Sequence, residues 1–151
     1  MKARNRDMSA LKREILYRGK QKGSGDWVEG VPVQHSDGDW QIQGGYSDAG
    51  WRVTVIPETV CQYTGLTDKN GRKIFEHDIV RQYYTSGGER MISEIIYNDS
   101  PLGAGWKIND IRALVYYERS LLCTGFGSTE SECVEVIGNI FDDPELLEGA
   151  L

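Results

Sequence analysis

The sequence contains few of the residues on which several protein classes depend. Three cysteines, an odd number without a CxxC pair, and two histidines argue against a disulfide framework and against a four-ligand zinc site. The chain has no apolar run of about 20 residues, which a membrane-spanning helix needs, and its basic N-terminus lacks the apolar stretch of a secretory signal. We therefore expect free thiols in a cytoplasmic protein, with no metal, no other cofactor and no membrane contact.

Charge is distributed unevenly along the chain. The net charge is −6, but residues 1–22 carry eight basic and two acidic side chains, so residues 23–151 carry −12. The overall acidity argues against a protein that coats nucleic acid, because neutralising phosphates requires a basic surface. The basic segment is either a solubilising tail or an arm that contacts nucleic acid. The residues available for that contact are Lys2, Arg4, Arg6, Lys12 and Arg13.

Short alternating segments separated by Gly, Asn and Asp turns predict a mainly β protein. The expected elements are a hairpin over residues 13–33, strands at 40–43 and 51–56, a hairpin over 78–97, strands at 106–108 and 134–141, and a short C-terminal helix capped by Asp143. Pro57 is expected to begin a single helical turn, and Asp68-Lys69-Asn70-Gly71 is typical of a tight turn. Residues 112–123 fit a strand or a helix equally well.

The order of these elements predicts three segments. Residues 1–12 form a basic extension, and residues 13–56 form a small antiparallel β unit. Residues 57–151 contain five short strands in hairpin order, which fit a small SH3-like β-barrel that ends in the short helix. Within this last segment, residues 81–133 are the variable part and are expected to determine binding specificity, because surface loops on a fixed scaffold commonly do.

Three blocks of the sequence resemble the YopX family. The first contains Arg13-Glu14-Ile15, Arg18-Gly19-Lys20 and Gly25-x-Trp27-Val28-x-Gly30. The central block contains Ile56-Pro57-Glu58-Thr59-Val60, Gln62-Tyr63-Thr64-Gly65-Leu66, Asp68-Lys69-Asn70-Gly71, Lys73-Ile74-Phe75-Glu76 and Asp78-Ile79-Val80. The last is Val136-Ile137-Gly138-Asn139-Ile140-Phe141-x-x-Pro144-Glu145-Leu146-Leu147. This resemblance implies an SH3-type β-barrel from a phage or prophage of Gram-positive bacteria, and it implies no activity and no catalytic residue.

His77 stands where the family usually has glycine. A turn glycine often marks a positive φ, which histidine tolerates better than most residues do. Glu76-His77-Asp78 is also the one compact acid–histidine cluster in the sequence. Successive side chains of a strand point to opposite faces, so we do not expect these three to converge into a catalytic site.

In the absence of a catalytic motif, the sequence favours a non-enzymatic binding protein encoded by a phage. It would contact a host or phage protein, and its free edge strands would also allow it to pair with copies of itself. Exposed aromatic side chains on small barrels bind extended peptides, and the candidates here are Tyr46, Tyr83 and Tyr84. The alternatives are a nucleic-acid-binding accessory protein that uses the basic N-terminal segment, and a small hydrolase with a carboxylate pair that no spacing identifies.

Overall fold

The protein is mainly β, as the sequence predicts. A computed structural model describes residues 14–44, 50–84, 86–100, 103–109, 119–120 and 134–149. Within these ranges the chain forms strands, one single-turn 3-10 helix and one short α-helix. The strands form two sheets, and every pairing between neighbouring strands is antiparallel.

The first sheet contains six strands. They are β1 (Tyr17–Lys20), β2 (Trp27–Gln34), β3 (Trp40–Gly44), β4 (Trp51–Thr54), β5 (Cys61–Thr67) and β6 (Lys73–Phe75), in the spatial order β4-β3-β2-β1-β5-β6. The predicted N-terminal hairpin is confirmed by the pairing of β1 with β2. The predicted helical turn is also confirmed, because Pro57–Thr59 forms a 3-10 turn between β4 and β5.

The predicted boundary at residue 56 falls within this first sheet. Arg18 of β1 lies opposite Cys61 of β5, so strands from both sides of the boundary are neighbours. The division into 13–56 and 57–151 stays a prediction, but any such units share a continuous set of hydrogen-bonded strands.

The second sheet is built around a meander. Its strands are β7 (Asp78–Tyr83), β8 (Glu89–Ser100), β9 (Gly103–Asn109), β10 (Arg119–Ser120) and β11 (Val134–Asn139), in the order β10-β9-β8-β7-β11. The hairpin predicted over 78–97 is confirmed by the pairing of β7 with β8. Of the ambiguous segment 112–123, only the two residues of β10 lie within the described ranges, and they form a strand that pairs with β9.

The two sheets share a hydrophobic core. Ile74 of β6 is fully buried and packs in one cluster with second-sheet side chains. Those partners are Val80, Ile95, Trp106, Val134 and Val136. Burial of a side chain of this size contributes about 1.5–3 kcal/mol, so this shared cluster holds the sheets against each other.

The C-terminal elements differ in detail from the sequence-based expectation. The last strand ends at Asn139 rather than at residue 141, and the short helix α1 spans Glu145–Glu148. Asp143 does not cap this helix with its side chain. Its carboxylate instead accepts a hydrogen bond from the backbone N–H of Asn139 at 3.3 Å, because the chain has turned back onto the end of β11. Of the residues that the structure describes, none forms a helix with the length and apolarity required to cross a membrane.

Candidate functional site

An open cleft lies where the two sheets meet. One wall is formed by β1, β2 and the start of β6, and the other by the end of β11 with the turn after it. We call this space, of about 620 Å³, the intersheet cleft. The side chains that define its chemistry are Arg18, Trp27, Arg72, Lys73, Asn139 and Asp142. Cationic, aromatic and acidic groups therefore face the same space.

Arg18 is the most buried charged group of the intersheet cleft, with a side chain that is 9% exposed. Its Nη2 donates a hydrogen bond to Asp78 Oδ1 at 2.6 Å. The guanidinium carbon lies 4.5 Å from the centroid of the Trp27 ring and 4.7 Å from that of Phe75. Planar guanidinium groups stack favourably on aromatic faces, so these contacts fix the orientation of the arginine.

Asp78 anchors this arginine from the first position of β7. Its second carboxylate oxygen accepts the backbone N–H of Phe75 at 2.8 Å, which closes the turn between β6 and β7. Burial raises the pKa of Asp78, and the nearby positive charge of Arg18 opposes that rise. The pair is enclosed, so removal of either charge would leave the other without a partner in the interior.

The opposite wall is organised by Asn139 and Asp142. The Asn139 side-chain oxygen accepts the backbone N–H groups of Phe141 at 3.0 Å and Asp142 at 3.1 Å, which shapes the turn after β11. Asp142 then accepts hydrogen bonds from Trp27 Nε1 at 2.7 Å, from Asn139 Nδ2 at 3.0 Å and from Lys20 Nζ. Desolvation alone would raise the pKa of Asp142, but these hydrogen bonds lower it to about 2.

The Asp68–Gly71 turn places Arg72 at the rim of the intersheet cleft. The predicted turn is confirmed, because the Asp68 carboxylate accepts the backbone N–H of Asn70 at 2.8 Å and of Arg72 at 2.9 Å. It also accepts the N–H of Val136 in β11 at 2.9 Å. Burial would raise the pKa of Asp68, but these backbone donors lower it below its usual value. The carboxylate thus ties the turn to the second sheet and is occupied by backbone donors.

His77 lies behind the intersheet cleft, in the turn between β6 and β7. Its φ is 65°, the left-handed conformation that the usual family glycine suggests. Its Nδ1 is 2.7 Å from Glu94 Oε1 on β8, so its carboxylate partner is not the adjacent Asp78. The hydrogen bond to Glu94 raises the pKa of His77, although burial acts in the opposite direction. Glu76 Oε1 lies 4.0 Å from His77 Nε2, whereas Asp78 bonds Arg18, so the three residues of the Glu76-His77-Asp78 cluster do not all meet at one point.

The predicted partner-binding tyrosines fall in different surroundings. Tyr83 is half-buried, its hydroxyl donates to Glu135 Oε2 at 2.6 Å, and Lys69 Nζ lies 3.9 Å from its ring centroid. Tyr84 is 54% exposed, and the Arg90 guanidinium lies 5.8 Å from its ring centroid. Tyr46 lies outside the described residues.

The predicted nucleic-acid contacts, Lys2, Arg4, Arg6, Lys12 and Arg13, also lie outside the described residues. For these cations and for the tyrosines, a role in binding stays a prediction.

Sequence reasoning did not single out the residues of the intersheet cleft. One local signal is available for Asp78, because a carboxylate that opens the apolar strand β7 requires a cationic partner once it is buried. The sequence could not identify Arg18 as that partner, since 60 positions separate the two residues. Among the described residues no group of three or more His, Cys, Asp and Glu side chains is placed to hold a metal ion. The side chains of the cleft are suited to the recognition of polar and charged groups.

The strand order defines a mainly β protein with two sheets. Polar and charged side chains line the cleft where these sheets meet. A family model described as YopX protein matches residues 16–148. The chain therefore belongs to the YopX family. A search of the curated proteins gave no match.

The fold is also similar to the crystal structure of protein EF1440 from Enterococcus faecalis. The two chains are 21% identical, with a TM-score of 0.51 over 90% of this chain and 99% of the other. At this level of identity the similarity describes the fold alone.

Proposed function

We propose that this chain is a non-enzymatic binding protein, encoded by a phage or prophage, which contacts a phage or host protein in the cytoplasm. The observation that supports the proposal is the intersheet cleft. Its volume of about 620 Å³ lies within the range of roughly 300–1,000 Å³ that is common for small-molecule sites, so it has room for a side chain of a partner protein. A cytoplasmic setting is supported by Cys61, a buried free thiol whose pKa burial raises to about 11.

The state of the charged groups favours binding over catalysis. Asp78 is engaged with Arg18, and Asp142 with Lys20 and Trp27. A general acid or base must be free to reach a substrate proton, whereas these groups hold elements of the fold together. Arginine and tryptophan are also the residue types that most often dominate protein interfaces.

Nucleic acid binding through the basic N-terminal segment is the second candidate function. It is supported by the net charge of +6 over residues 1–22. Within the described part of that segment, Arg18 and Lys20 already pair with Asp78 and Asp142. Because fewer cations are then available for phosphates, we favour a protein partner.

An SH3-like barrel remains our proposal for the second half of the fold. Support comes from β11, which returns to pair with β7, the first strand of the meander. The backbone N–H of Lys69, after β5, also donates to Val134 O at 3.0 Å and brings the first sheet against β11. The short helix and the N-terminal strands would flank this barrel.

Affinity capture from phage-infected host cells tests the proposed function. The full chain is used as bait, with and without nuclease, beside Arg72→Glu at the intersheet cleft and Arg52→Glu on β4. Arg52 is a matched control because both arginines are exposed and Arg52 is not among the residues that line the cleft.

We expect that a specific protein is captured with or without nuclease. Its capture should be lost with Arg72→Glu and retained with Arg52→Glu. Capture that disappears with nuclease would favour the nucleic-acid function. Capture that is unaffected by Arg72→Glu would contradict a role for the cleft, and the sole recovery of the chain itself would indicate self-association.

A further inference from the structure

The buried guanidinium of the intersheet cleft has an unused hydrogen-bond donor. Arg18 Nη2 bonds to Asp78, but Arg18 Nε has no hydrogen-bond partner among the described residues. An unpaired buried donor is unfavourable, and Trp27 and Phe75 hold the arginine so that it cannot easily turn to find an acceptor. The Nε atom itself has almost no exposed surface, so Arg18 offers a ligand in the cleft the positive charge of a guanidinium that is held in place.

A second arginine lies at the opening of the same space. Arg72 is exposed, and its side chain forms no ion pair within the described part of the chain. The adjacent Lys73 is partly neutralised, since its Nζ lies 3.2 Å from Glu14 Oε1 and 3.7 Å from Glu29 Oε2. Arg72 is therefore the cation on the rim that is best placed to meet a negative group from outside.

We propose that the intersheet cleft binds a carboxylate, carried by an acidic side chain of a protein partner. This inference rests on the proposed binding function and names the chemical group that is recognised. Arg72 makes the first, charge-assisted contact, because the planar guanidinium matches a carboxylate in a two-pronged geometry. Arg18 adds positive charge from the floor of the cleft, and the Trp27 ring covers the apolar part of the bound side chain.

The acidic residues of the cleft favour a ligand with one carboxylate over a ligand with several phosphates. Glu29, Asp142 and Asp143 line the same space as the arginines. A nucleic acid would bring several phosphates close to these carboxylates, and each such like-charge pair is repulsive. A single carboxylate can approach the arginines, while the uncharged groups next to it in the ligand lie against the acidic side chains of the cleft.

A peptide titration of the full chain tests this inference. The probe is acetyl-Ala-Glu-Ala-amide, and its matched control is acetyl-Ala-Gln-Ala-amide, which has the same shape without the charge. Binding is followed by the NMR signals of the Trp27 indole N–H and the Arg18 Nε–H. We expect the Glu peptide to shift both signals saturably, with an affinity that falls as salt increases, and the Gln peptide to leave them unchanged.

Variants of the protein locate the contact. Arg72→Gln should weaken binding of the Glu peptide about 5-fold, the effect of losing one partly exposed ion pair. Arg52→Gln should leave the affinity unchanged. Equal shifts with both peptides, equal binding by Arg72→Gln, or stronger binding of inorganic phosphate or a thymidine oligonucleotide would each overturn the assignment. Failure of the peptide to bind, with capture still dependent on Arg72, would overturn the carboxylate assignment and leave the proposed binding function standing.

Discussion

At the scale of single residues, the pair formed by Arg18 and Asp78 is the most consequential contact of the molecule. Both side chains are buried, and their Nη2 and Oδ1 atoms are 2.6 Å apart. The attraction within a buried pair is largely offset by the desolvation of both charges, whereas the loss of one partner leaves the other charge buried and uncompensated. Here the pair also links β1 to the start of β7, and therefore joins the two sheets.

Asp78→Asn should be strongly destabilising. The substitution leaves the buried Arg18 charge without a counter-ion, which typically costs about 3–5 kcal/mol of unfolding free energy. Urea denaturation measures the loss. Asp26→Asn is the matched control, since Asp26 is exposed in the β1–β2 turn and such changes usually stay within about 0.5 kcal/mol. Equal stabilities of the two variants would contradict the role given to the pair.

His77 gives the protein a pH-dependent contribution to stability. The hydrogen bond to Glu94 raises the pKa of His77 above its unfolded value of about 6.5. A histidine whose pKa is raised by folding stabilises the fold fully at pH values below its unfolded pKa. This contribution is lost as the pH rises through the higher, folded pKa. Glu76 lies 4.0 Å from the histidine and acts in the same direction, whereas Arg18 opposes it.

Glu94→Gln should therefore flatten the pH dependence of stability. We expect the unfolding free energy of the unmodified protein to decrease between about pH 6 and pH 8 more steeply than that of the variant. Chemical denaturation at a series of pH values provides the comparison. Parallel pH profiles would show that the contact between His77 and Glu94 does not stabilise the charged imidazole.

At the scale of secondary-structure elements, β2 depends on a glycine at its midpoint. Trp27 to Gly30 pair with β1, while Val31 to Gln34 pair with β3. Gly30 lies where the strand changes partners, and a Cβ at this position would overlap the Gln43 carbonyl oxygen and lie 2.9 Å from Ile42 Cγ2. The close approach of β3 at this point therefore requires a residue without a side chain.

Gly30→Ala should destabilise the first sheet by about 1–3 kcal/mol, the usual cost of forcing extra volume into a packed site. Gly105→Ala on β9 is the control, because a Cβ there meets nothing within 4 Å and its φ needs no glycine. Thermal unfolding should separate the two variants, with a large decrease in Tm for position 30 and little change for position 105. A similar Tm for both would contradict the close packing of β2 on β3.

The elements themselves were largely predictable from the sequence, because local patterns determine them. The strand at 40–43, the hairpin over 78–97 and the helical turn at Pro57 each depend on patterns of a few residues, and each appears as expected. Asp143 was misassigned for the same reason. Its place before Pro144 is typical of a helix cap, but a tertiary contact with the end of β11 takes its carboxylate instead.

The candidate site could not be predicted in the same way, because its contacts are long-range. Asp142 meets Trp27 across 115 positions, and the Asp68 carboxylate meets Val136 across 68. No local sequence pattern predicts a contact between residues that lie so far apart in the chain. The blocks that resemble the YopX family contain most of these residues, but the resemblance did not identify them as a site.

At the scale of the whole molecule, the contacts that join the two sheets also border the cleft in which we propose that a partner binds. Arg18 with Asp78, and Lys20 with Asp142, join strands of the first sheet to the start of β7 and to the turn after β11. The same links leave an open cleft with Arg72 at its rim. The central claim is that this cleft is where a protein partner docks.

Site-specific photocrosslinking in infected host cells tests this claim most directly. In one variant a photoreactive phenylalanine analogue replaces Glu29, which lines the cleft, and Arg72 stays intact. In the other variant the analogue replaces Arg52. Both positions are exposed, and Arg52, on β4, is not among the residues that line the cleft. We expect a nuclease-resistant crosslink to a single protein from position 29 and none from position 52. Crosslinks from position 52 alone, or crosslinks from position 29 to nucleic acid, would contradict it.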